Sequence, residues 1–346
     1  MKTTKSNKSR DEYIELSRLF DKWIHSEMNS EHTRSSYRTS LKLFIKNFLI
    51  DHKGVSFDTY SARTAFSKST IEEWEDWLEA RGNTGQTINI RRSNLLSFLA
   101  FLSDERMEYA HYYMEAKTIS GRKNTHIKEK SLTDSATEAI INAPDIGTNA
   151  GLRDTVLMGL MYSTGARLGE VLSVKIKDLT FLNLRTTSAS VLFHGKGNKY
   201  RCIPLDKTIA KNISLFVKHA HGNSPDPESY LFYSPIKGKY EKLSSRAIEK
   251  RLKIHSEKAH GFCEDVPLSM HSHLFRHTRA TNWIKERHRL PIVSKLLGHE
   301  YIQTTMDYLD ITPEMMNDAI LDSVCSNTYA VDQEWNEDDI NTIFDF

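Results

Sequence analysis

Large apolar residues recur at helical spacing through the first third of the chain. Two stretches place them three or four positions apart: Leu16, Phe20, Trp23 and Ile24, then Leu41, Phe44, Ile45 and Phe48. A period near about 3.6 gives each stretch one apolar face, so both are predicted to be amphipathic helices. A further helix is predicted to start at Ser69 and Thr70, with acidic residues in its first turn. After a turn at residues 82–85, residues 87–102 form another apolar stripe.

The pattern changes in the second half of the chain, where strands are also predicted. Residues 189–193 and 200–205 read as strands, and Gly195 and Gly197 between them give the backbone the freedom that a hairpin turn requires. A Ser-Leu-Thr-Asp sequence starting at Ser131 predicts a helix cap, and a second domain is expected to begin there. The predicted fold is therefore mostly α with one small antiparallel β-sheet, an α+β class.

Length and composition indicate a globular protein with two domains. A chain of 346 residues can bury two cores of ordinary size, and 39% hydrophobic with 27% charged residues is typical of a soluble protein. The sequence contains no run of about 18 apolar residues, so neither a membrane span nor a secretion signal is expected. Cys202, Cys263 and Cys325 have no paired spacing, so reduced thiols and a cytoplasmic location are expected.

Charge is distributed unevenly along the chain. The formal net charge is +2, yet residues 326–346 contain six acidic side chains and no lysine or arginine. Without this −6, residues 1–325 carry a net charge of +8. A basic body is the electrostatic pattern expected of a protein that contacts phosphates.

Four short motifs carry residues suited to attack on a phosphodiester. In chain order they are a Gly-x-Arg-x-x-Glu box with Arg167 and Glu170, a Gly-Lys-Gly sequence at Lys196, a His-x-x-Arg-His box with His273, Arg276 and His277, and a Leu-Gly-His sequence at His299 followed nine residues later by Tyr308. Together they supply a nucleophile, two guanidinium groups, an ammonium group and two imidazoles. This set is sufficient to attack a phosphate without a metal ion.

Each of these groups meets one requirement of such a reaction. A tyrosine phenol has an ordinary pKa of about 10, so Tyr308 is almost fully protonated at neutral pH and needs activation. Arg167 and Arg276 can bind the nonbridging oxygens bidentately where negative charge develops. Lys196, at a hairpin tip, can protonate the leaving 5′ oxygen, and the two imidazoles can accept the phenol proton or donate to the phosphate.

The four motifs, in this order and spacing, resemble the tyrosine recombinase (phage integrase) family. The resemblance covers the C-terminal half closely, and the N-terminal half only through its helical character and basic residues. It implies a reaction without a metal or a high-energy cofactor, in which Tyr308 forms a covalent 3′-phosphotyrosyl intermediate and leaves a 5′ hydroxyl. The residues that it implies are Tyr308, Arg167, Lys196, His273, Arg276 and His299 as catalytic, with Glu170 and His277 as supporting.

The resemblance also implies partners. A site-specific DNA recombinase or integrase of this kind acts on double-stranded DNA with paired recombination sites, as a tetramer in the synaptic complex and as a monomer or dimer without DNA. A mobile element, a bacterial cytoplasm and accessory DNA-bending or directionality factors fit this picture, and no membrane is involved. Two positions depart from the family pattern, since Phe275 stands where leucine is usual and Arg279 where an apolar residue is common. Local packing beside the site is expected to differ accordingly.

Five segments are predicted on this basis. They are a basic extension at 1–10, a helical DNA-binding (core-binding) domain at 11–116, a basic linker at 117–130, the catalytic domain at 131–325 and an acidic tail at 326–346. Residues predicted to contact DNA lie on or beside the first domain's helices, in the linker and at the hairpin, and they are Arg34, Arg38, Arg91, Arg92, Arg122, Lys123 and Lys199.

Each motif taken alone also has an ordinary structural interpretation. The Arg167 box can be a surface ion pair, and the Gly-Lys-Gly sequence a plain hairpin turn in which Lys199 competes with Lys196 for the catalytic role. His273 and His277 share one helix face as metal ligands do, but no His-Glu-x-x-His motif or carboxylate pair completes a site, so no metal is predicted. The basic residues can belong to solvated helix faces. The ordered coincidence of all four motifs favours the catalytic interpretation.

Other functions share parts of this pattern. A type IB topoisomerase-like enzyme and a telomere-resolving enzyme use related tyrosine chemistry, and a catalytically silent DNA-binding regulator could use the same fold. Compact motif spacing and a small helical N-terminal domain favour a recombinase over these alternatives. The tail is predicted to link protomers because it carries large apolar residues, with docking on its own chain or inhibition of the basic surface as alternatives.

Overall fold

A computed structural model of the protein describes residues 2–25, 31–123, 130–181, 189–195, 199–236 and 239–306. The chain divides into two compact units, residues 1–128 and 129–346. Helices predominate in the described ranges, and the strands of the second unit include a small antiparallel sheet. The predicted fold class is thereby confirmed.

The N-terminal unit is built from helices around an aromatic core. They are α1 (Lys2–Ile24), α2 (Glu31–Leu41), a π-helical continuation of α2 (Lys42–His52), α3 (Ala62–Ala65), α4 (Lys68–Ala80), α5 (Gly85–Glu105), a 3₁₀ turn (Met107–Tyr109) and α6 (Ala110–Lys117). Phe44, Trp74 and Phe98 are completely buried, and the rings of Phe44 and Trp74 meet edge to face at 5.0 Å. The two apolar stripes predicted at 16–24 and 41–48 both contribute to this core.

Hydroxyl caps set two helix starts in this unit. Ser67 accepts a hydrogen bond from the backbone N–H three residues later, and Thr84 does the same at the start of α5. Helix α4 therefore begins at Lys68, and the prediction of a start at Ser69 was wrong. Three hydroxyl residues lie close together there, and the cap geometry that selects among them is not visible in the sequence.

The second unit wraps several helices around one long buried helix, α8. Its helices are α7 (Asp134–Asn142), α8 (Asn149–Thr164), α9 (Leu168–Val171), α10 (Lys207–His221), α11 (Ser245–His260), α12 (Ser272–Lys285), α13 (Leu290–Leu297) and α14 (Gln303–Met306). Leu157, Leu160 and Met161 of α8 are buried in the centre of the core. Thr133 caps α7 by accepting a hydrogen bond from the N–H of Ala136, as the Ser-Leu-Thr-Asp sequence predicts.

The sheet of this unit supports one side of the site. Strands β1 (Leu179–Thr180), β2 (Ala189–His194) and β3 (Tyr200–Leu205) are antiparallel in the order β1-β2-β3, and β4 (Tyr233–Ile236) pairs with β5 (Lys239–Lys242). The predicted hairpin is formed by β2 and β3, in which Phe193 lies opposite Arg201 and His194 opposite Tyr200. Phe193 is buried in the core of the second unit, and its packing holds the hairpin against that core.

The two departures from the family pattern are both accommodated by local packing. Phe275 is completely buried in the core of the second unit. The guanidinium of Arg279 lies 5.6 Å from the Tyr162 ring and 4.9 Å from the Trp283 ring. It also pairs with Glu286 at 3.2 Å. Residue 279 is therefore a stacked cation at a position where an apolar side chain would otherwise pack.

Two properties bear on the sequence-based expectations. No helix in the ranges given above combines the length and apolar character that a bilayer-crossing segment requires. Cys202 and Cys263 are free cysteines. Lys196, Tyr308, Cys325 and the whole of the predicted acidic tail lie outside the described residues.

Candidate active site

The site begins where α8 ends and α9 starts. Gly165 closes α8 with φ of +60°, a left-handed conformation that glycine adopts without strain. Two residues later, Arg167 lies at the N-cap of α9, and its backbone N–H donates to Glu170 Oε2 at 2.8 Å. The Arg167 side chain is 47% exposed, and its Nη1 lies 3.4 Å from Glu170 Oε1. Glu170 thus holds the backbone of Arg167 while the guanidinium still faces the solvent.

Two backbone carbonyls hold the guanidinium of Arg276. It lies on α12, is only 1% exposed, and donates from Nη1 to Gly165 O and from Nη2 to Leu297 O, both at 2.9 Å. A buried charge is costly unless it is hydrogen-bonded, and these two carbonyls belong to helix ends. Arg276 therefore joins the ends of α8 and α13 at one point.

His299 completes this cluster. Its Nε2 lies 2.6 Å from Arg276 Nη2, and its Nδ1 lies 2.8 Å from Thr305 Oγ1. Since a guanidinium can only donate, Nε2 is the acceptor and the ring proton is on Nδ1, directed to Thr305. Burial lowers the pKa of His299 to about 4, and the charges of Arg276, Arg167, Arg201 and His273 act in the same direction. His299 is therefore neutral at pH 7.

The other two histidines lie on α12. His273 is in its first turn and is exposed, and His277 lies one turn later and is half-buried. His273 is close enough to influence the charge of His299. Within the described ranges, no group of three or more His, Cys, Asp and Glu side chains could hold a metal ion.

A cleft of about 1500 Å³ opens beside these residues. Arg167, Glu170, Gly195, Lys199 and His299 are among the residues that line it. Lys199 is exposed and pairs with Glu300 at 2.9 Å. The backbone N–H of Gly195 donates to Lys199 O at 2.7 Å, which closes the base of the hairpin at the edge of the cleft. Four of the six predicted catalytic residues, Arg167, His273, Arg276 and His299, therefore gather at one place.

Arg201 belongs to this cluster and was missed in the sequence. It lies on β3 and forms a two-pronged ion pair with Glu170, Nη1 to Oε1 at 2.8 Å and Nη2 to Oε2 at 2.7 Å. The available signal was alternation, because Arg201 shares its strand face with the buried Ile203. An arginine on the inward face of a strand requires a buried partner.

The predicted DNA-binding residues of the N-terminal unit fall into two groups. Arg34 and Arg91 are half-buried, Arg38 is exposed with Nη2 3.4 Å from His25 Nε2, and Lys123 is exposed. Arg92 and Arg122, in contrast, both pair with the buried carboxylate of Glu75, at 3.3 and 3.1 Å. These two guanidiniums have a structural role inside this unit.

Comparisons with known proteins place this chain in a family. Residues 130–315 match the model of the phage integrase family, and residues 18–106 match the phage integrase N-terminal SAM-like domain. Tyrosine recombinase XerC of Bacillus subtilis is 27% identical over 316 residues, which span 88% of this chain and 94% of that protein. Tyrosine recombinase XerA of Pyrococcus horikoshii is 30% identical over 206 residues, which span 60% of this chain and 65% of that protein.

Solved structures show the same fold. The Tn1549 transposon integrase in complex with transposon right end DNA superposes with a TM-score of 0.67, covering 90% of this chain and 99% of that chain. Its sequence is 16% identical, so the likeness concerns the fold alone.

Proposed function

The chain belongs to the phage integrase family of tyrosine recombinases, and from this premise we propose that it is a site-specific DNA recombinase that cleaves and rejoins strands through Tyr308. The observation that carries the proposal is that Arg167 and His299 line one cleft, while Arg276 contacts both His299 and Gly165, which lies 111 positions before Arg276. Two guanidiniums beside a neutral imidazole form a binding site for a phosphodiester anion.

The proposed reaction exchanges one phosphodiester bond for another. The phenolic oxygen of Tyr308 attacks phosphorus, the bond to the 5′ oxygen breaks, and a 3′-phosphotyrosyl bond forms. Attack by a 5′ hydroxyl of the partner strand then reverses these bonds and releases the tyrosine. The bond energy is conserved throughout, so the reaction requires no nucleotide cofactor.

The geometry supports separate roles for the two histidines. His299 has its Nε2 lone pair engaged by Arg276 and its pKa lowered to about 4, which makes it a weak base in the free protein. His273 is exposed in the first turn of α12 and is the better candidate to accept the phenol proton. His299 then serves to hold Arg276 and to present a neutral ring near the phosphate.

Lys196 is proposed to protonate the leaving 5′ oxygen. Gly195 and Lys199, which flank residues 196–198 in the sequence, both line the cleft, and this supports the proposal. Lys199, the competing lysine, donates to Glu300 at 2.9 Å, so its ammonium group already has a protein partner.

The proposed substrate is double-stranded DNA carrying paired recombination sites, bound by four copies of the chain in the synaptic complex. The setting that fits is a bacterial cytoplasm and the DNA of a mobile element, with accessory DNA-bending or directionality factors. A type IB topoisomerase-like or telomere-resolving activity and a silent regulator are the alternatives. DNA relaxation without recombination sites would favour the topoisomerase, and DNA binding without any covalent adduct would favour the regulator.

The test uses a nicked suicide substrate that traps the covalent intermediate. Wild-type protein is expected to accumulate an adduct on a 3′ phosphate, and Tyr308→Phe to bind the same DNA without forming it. Tyr301→Phe is the matched control, because Tyr301 is 67% exposed at the same cleft. An adduct that survives in Tyr308→Phe and disappears in Tyr301→Phe would assign the nucleophile to Tyr301.

The same assay separates the two lysines. Lys196→Ala should cleave a normal substrate roughly a hundred- to ten-thousandfold more slowly, which is the usual contribution of a general acid. A 5′-bridging phosphorothiolate has a leaving group that needs no proton, so it should restore the rate. At saturating DNA, Lys199→Ala should cleave both substrates at the same relative rates as the wild type, even if loss of a DNA contact weakens binding. Equal impairment of Lys196→Ala on both substrates would exclude the general-acid role.

A further inference from the structure

The side-chain contact that stands out beside the proposed site is the ion pair of Arg201 with Glu170. Two guanidinium nitrogens each contact one carboxylate oxygen, so the pair forms a fork, and the side chains are only 12% and 10% exposed. A bidentate, water-poor pair fixes distance and orientation together, which a single contact does not.

Glu170 is shared between two arginines. The same Oε2 that receives Arg201 Nη2 also receives the backbone N–H of Arg167, and Oε1 lies within 3.4 Å of Arg167 Nη1. Burial alone would raise the pKa of the Glu170 carboxyl, but the hydrogen bonds and charge of Arg201, aided by Arg167, bring it below its ordinary value. Arg201 and Arg167 thus favour the ionised carboxylate, which accepts hydrogen bonds from both.

Arg201 is itself held from two further sides. Its guanidinium lies 5.1 Å from the ring of Phe193, the residue opposite it in the hairpin. At Gly298 an added Cβ would come within 3.0 Å of Arg201 Nη1, and that glycine has φ of +67°. Because Gly298 has no side chain, the guanidinium of Arg201 can occupy this space, next to the residue that precedes His299.

We propose that Arg201 is a positioning residue of the recombination site, which acts through Glu170 to fix the guanidinium of Arg167 and ties the catalytic hairpin to the residue before His299. Arg201 does not touch DNA in this role. The inference rests on the proposed function, since it presumes that Arg167 binds the reacting phosphate.

The test compares rate and binding in the full-length protein on the suicide substrate. Arg201→Ala should slow adduct formation at saturating DNA by about ten- to a hundredfold, the usual effect of misplacing a reacting group by about 1 Å. DNA affinity should change less than about threefold. Arg201→Lys should recover only part of the rate, because an ammonium group cannot form the fork.

A matched control exists in the same unit. Arg251 also pairs with a buried carboxylate, that of Asp154, so Arg251→Ala should reduce stability to a similar degree without slowing adduct formation. If Arg201→Ala does not fold, Arg201→Lys and Glu170→Gln carry the comparison. In the Glu170→Gln background, Arg201→Lys should add little further loss, because both changes break the same fork.

A second readout is the pKa of His299, measured from the pH dependence of its ring NMR signals. Arg201 is one of the cations that lower this pKa, so Arg201→Ala should raise it. A wild-type rate of adduct formation with an unchanged His299 pKa would overturn the proposal, and so would weakened DNA binding with an unchanged rate at saturation. If the wild type itself forms no adduct, the proposed function fails instead.

Discussion

At the scale of the residue, His299 has the most constrained chemistry in the site. Its two ring nitrogens are both engaged, by Arg276 at 2.6 Å and by Thr305 at 2.8 Å, and cations surround it. A proton added to this ring would have to displace the Arg276 hydrogen bond from Nε2. The neutral ring is therefore part of the folded structure, and folding opposes its protonation.

Stability should consequently depend on pH through this residue. The ordinary pKa of 6.5 falls to about 4 on folding, so the unfolded chain binds more protons between these two values. The free energy of unfolding should be highest above pH 6.5 and fall as the pH is lowered towards 4. Allowing for partial solvent exposure, the loss between pH 7 and pH 5 should be about 1 kcal/mol.

Urea unfolding at these two pH values provides the measurement. His299→Gln cannot titrate, so its free energy of unfolding should decrease less than that of the wild type over the same interval. Equal decreases in the two proteins would show that folding does not depress the pKa of His299.

The sequence revealed the identities of the reacting residues better than their surroundings. Arg167, Arg276 and His299 could be chosen because their motifs place rare combinations of side chains at fixed spacing. The burial of Arg276 could not be predicted, since two of its partners are the backbone carbonyls of Gly165 and Leu297, and every residue has a backbone carbonyl. Arg201 was missed because its partner is 31 positions away and only the packed hairpin brings them together.

At the scale of the element, the stretch after α6 is attached to α4 and α5. Arg122 pairs with Glu75, Asp76 and Glu79 of α4, and Asn89 of α5 both donates to and accepts from its backbone. Burial raises the pKa of the Glu75 carboxyl even though Arg92 and Arg122 oppose this. The guanidinium of Arg122 is therefore paired with carboxylates of the N-terminal unit.

This arrangement distinguishes two residues that the sequence treated alike. Lys123→Gln should reduce the dependence of log affinity on log salt concentration by about 1, since each phosphate contact contributes about one released counterion. Arg122→Gln should leave that slope unchanged and instead lower the stability of the N-terminal unit, because it removes a partner of a buried carboxylate. DNA-binding titrations across a salt series measure the slope, and thermal unfolding measures the stability. A slope reduced equally by both variants would assign Arg122 to the DNA.

Elements with strong local signals were predicted well. The β2–β3 hairpin and the cap of α7 at Thr133 follow from glycine placement and a capping hydroxyl. The π-helical segment Lys42–His52 was not foreseen beyond its helical character. Its apolar residues at 44, 45 and 48 fit the ordinary period, and the wider hydrogen bonding depends on tertiary packing. Ion pairs between distant residues, such as those of Arg122 with helix α4, likewise produce no periodic pattern in the sequence.

At the scale of the whole molecule, the contrast between a basic body and an acidic end is the main unexplained property of the sequence. We propose that the tail links neighbouring protomers, because Trp335, Ile340 and Phe344 are more apolar than a purely solvating segment requires. Truncation after Cys325 should preserve binding to a single site but weaken cooperative filling of paired sites and strand exchange. Mobility-shift titrations and a recombination assay measure these effects.

A charge-only variant separates this role from inhibition of the DNA surface. Asp338→Asn with Asp339→Asn removes two negative charges and retains the apolar side chains, so it should assemble as the wild type does. Tighter single-site binding by the truncated and the charge-only proteins, with assembly unchanged in both, would instead identify the tail as an inhibitor.

The hydrogen bonds of Arg276 also set an order of events during protein synthesis. This side chain donates to the carbonyl of Gly165, which is synthesised long before it, and to the carbonyl of Leu297 and the Nε2 atom of His299, which are synthesised after it. A ribosome releases the chain from its N-terminus, so Arg276 has no lasting position until the segment around residue 299 has emerged. The proposed phosphate site therefore cannot form until nearly the whole second unit through residue 299 has been synthesised.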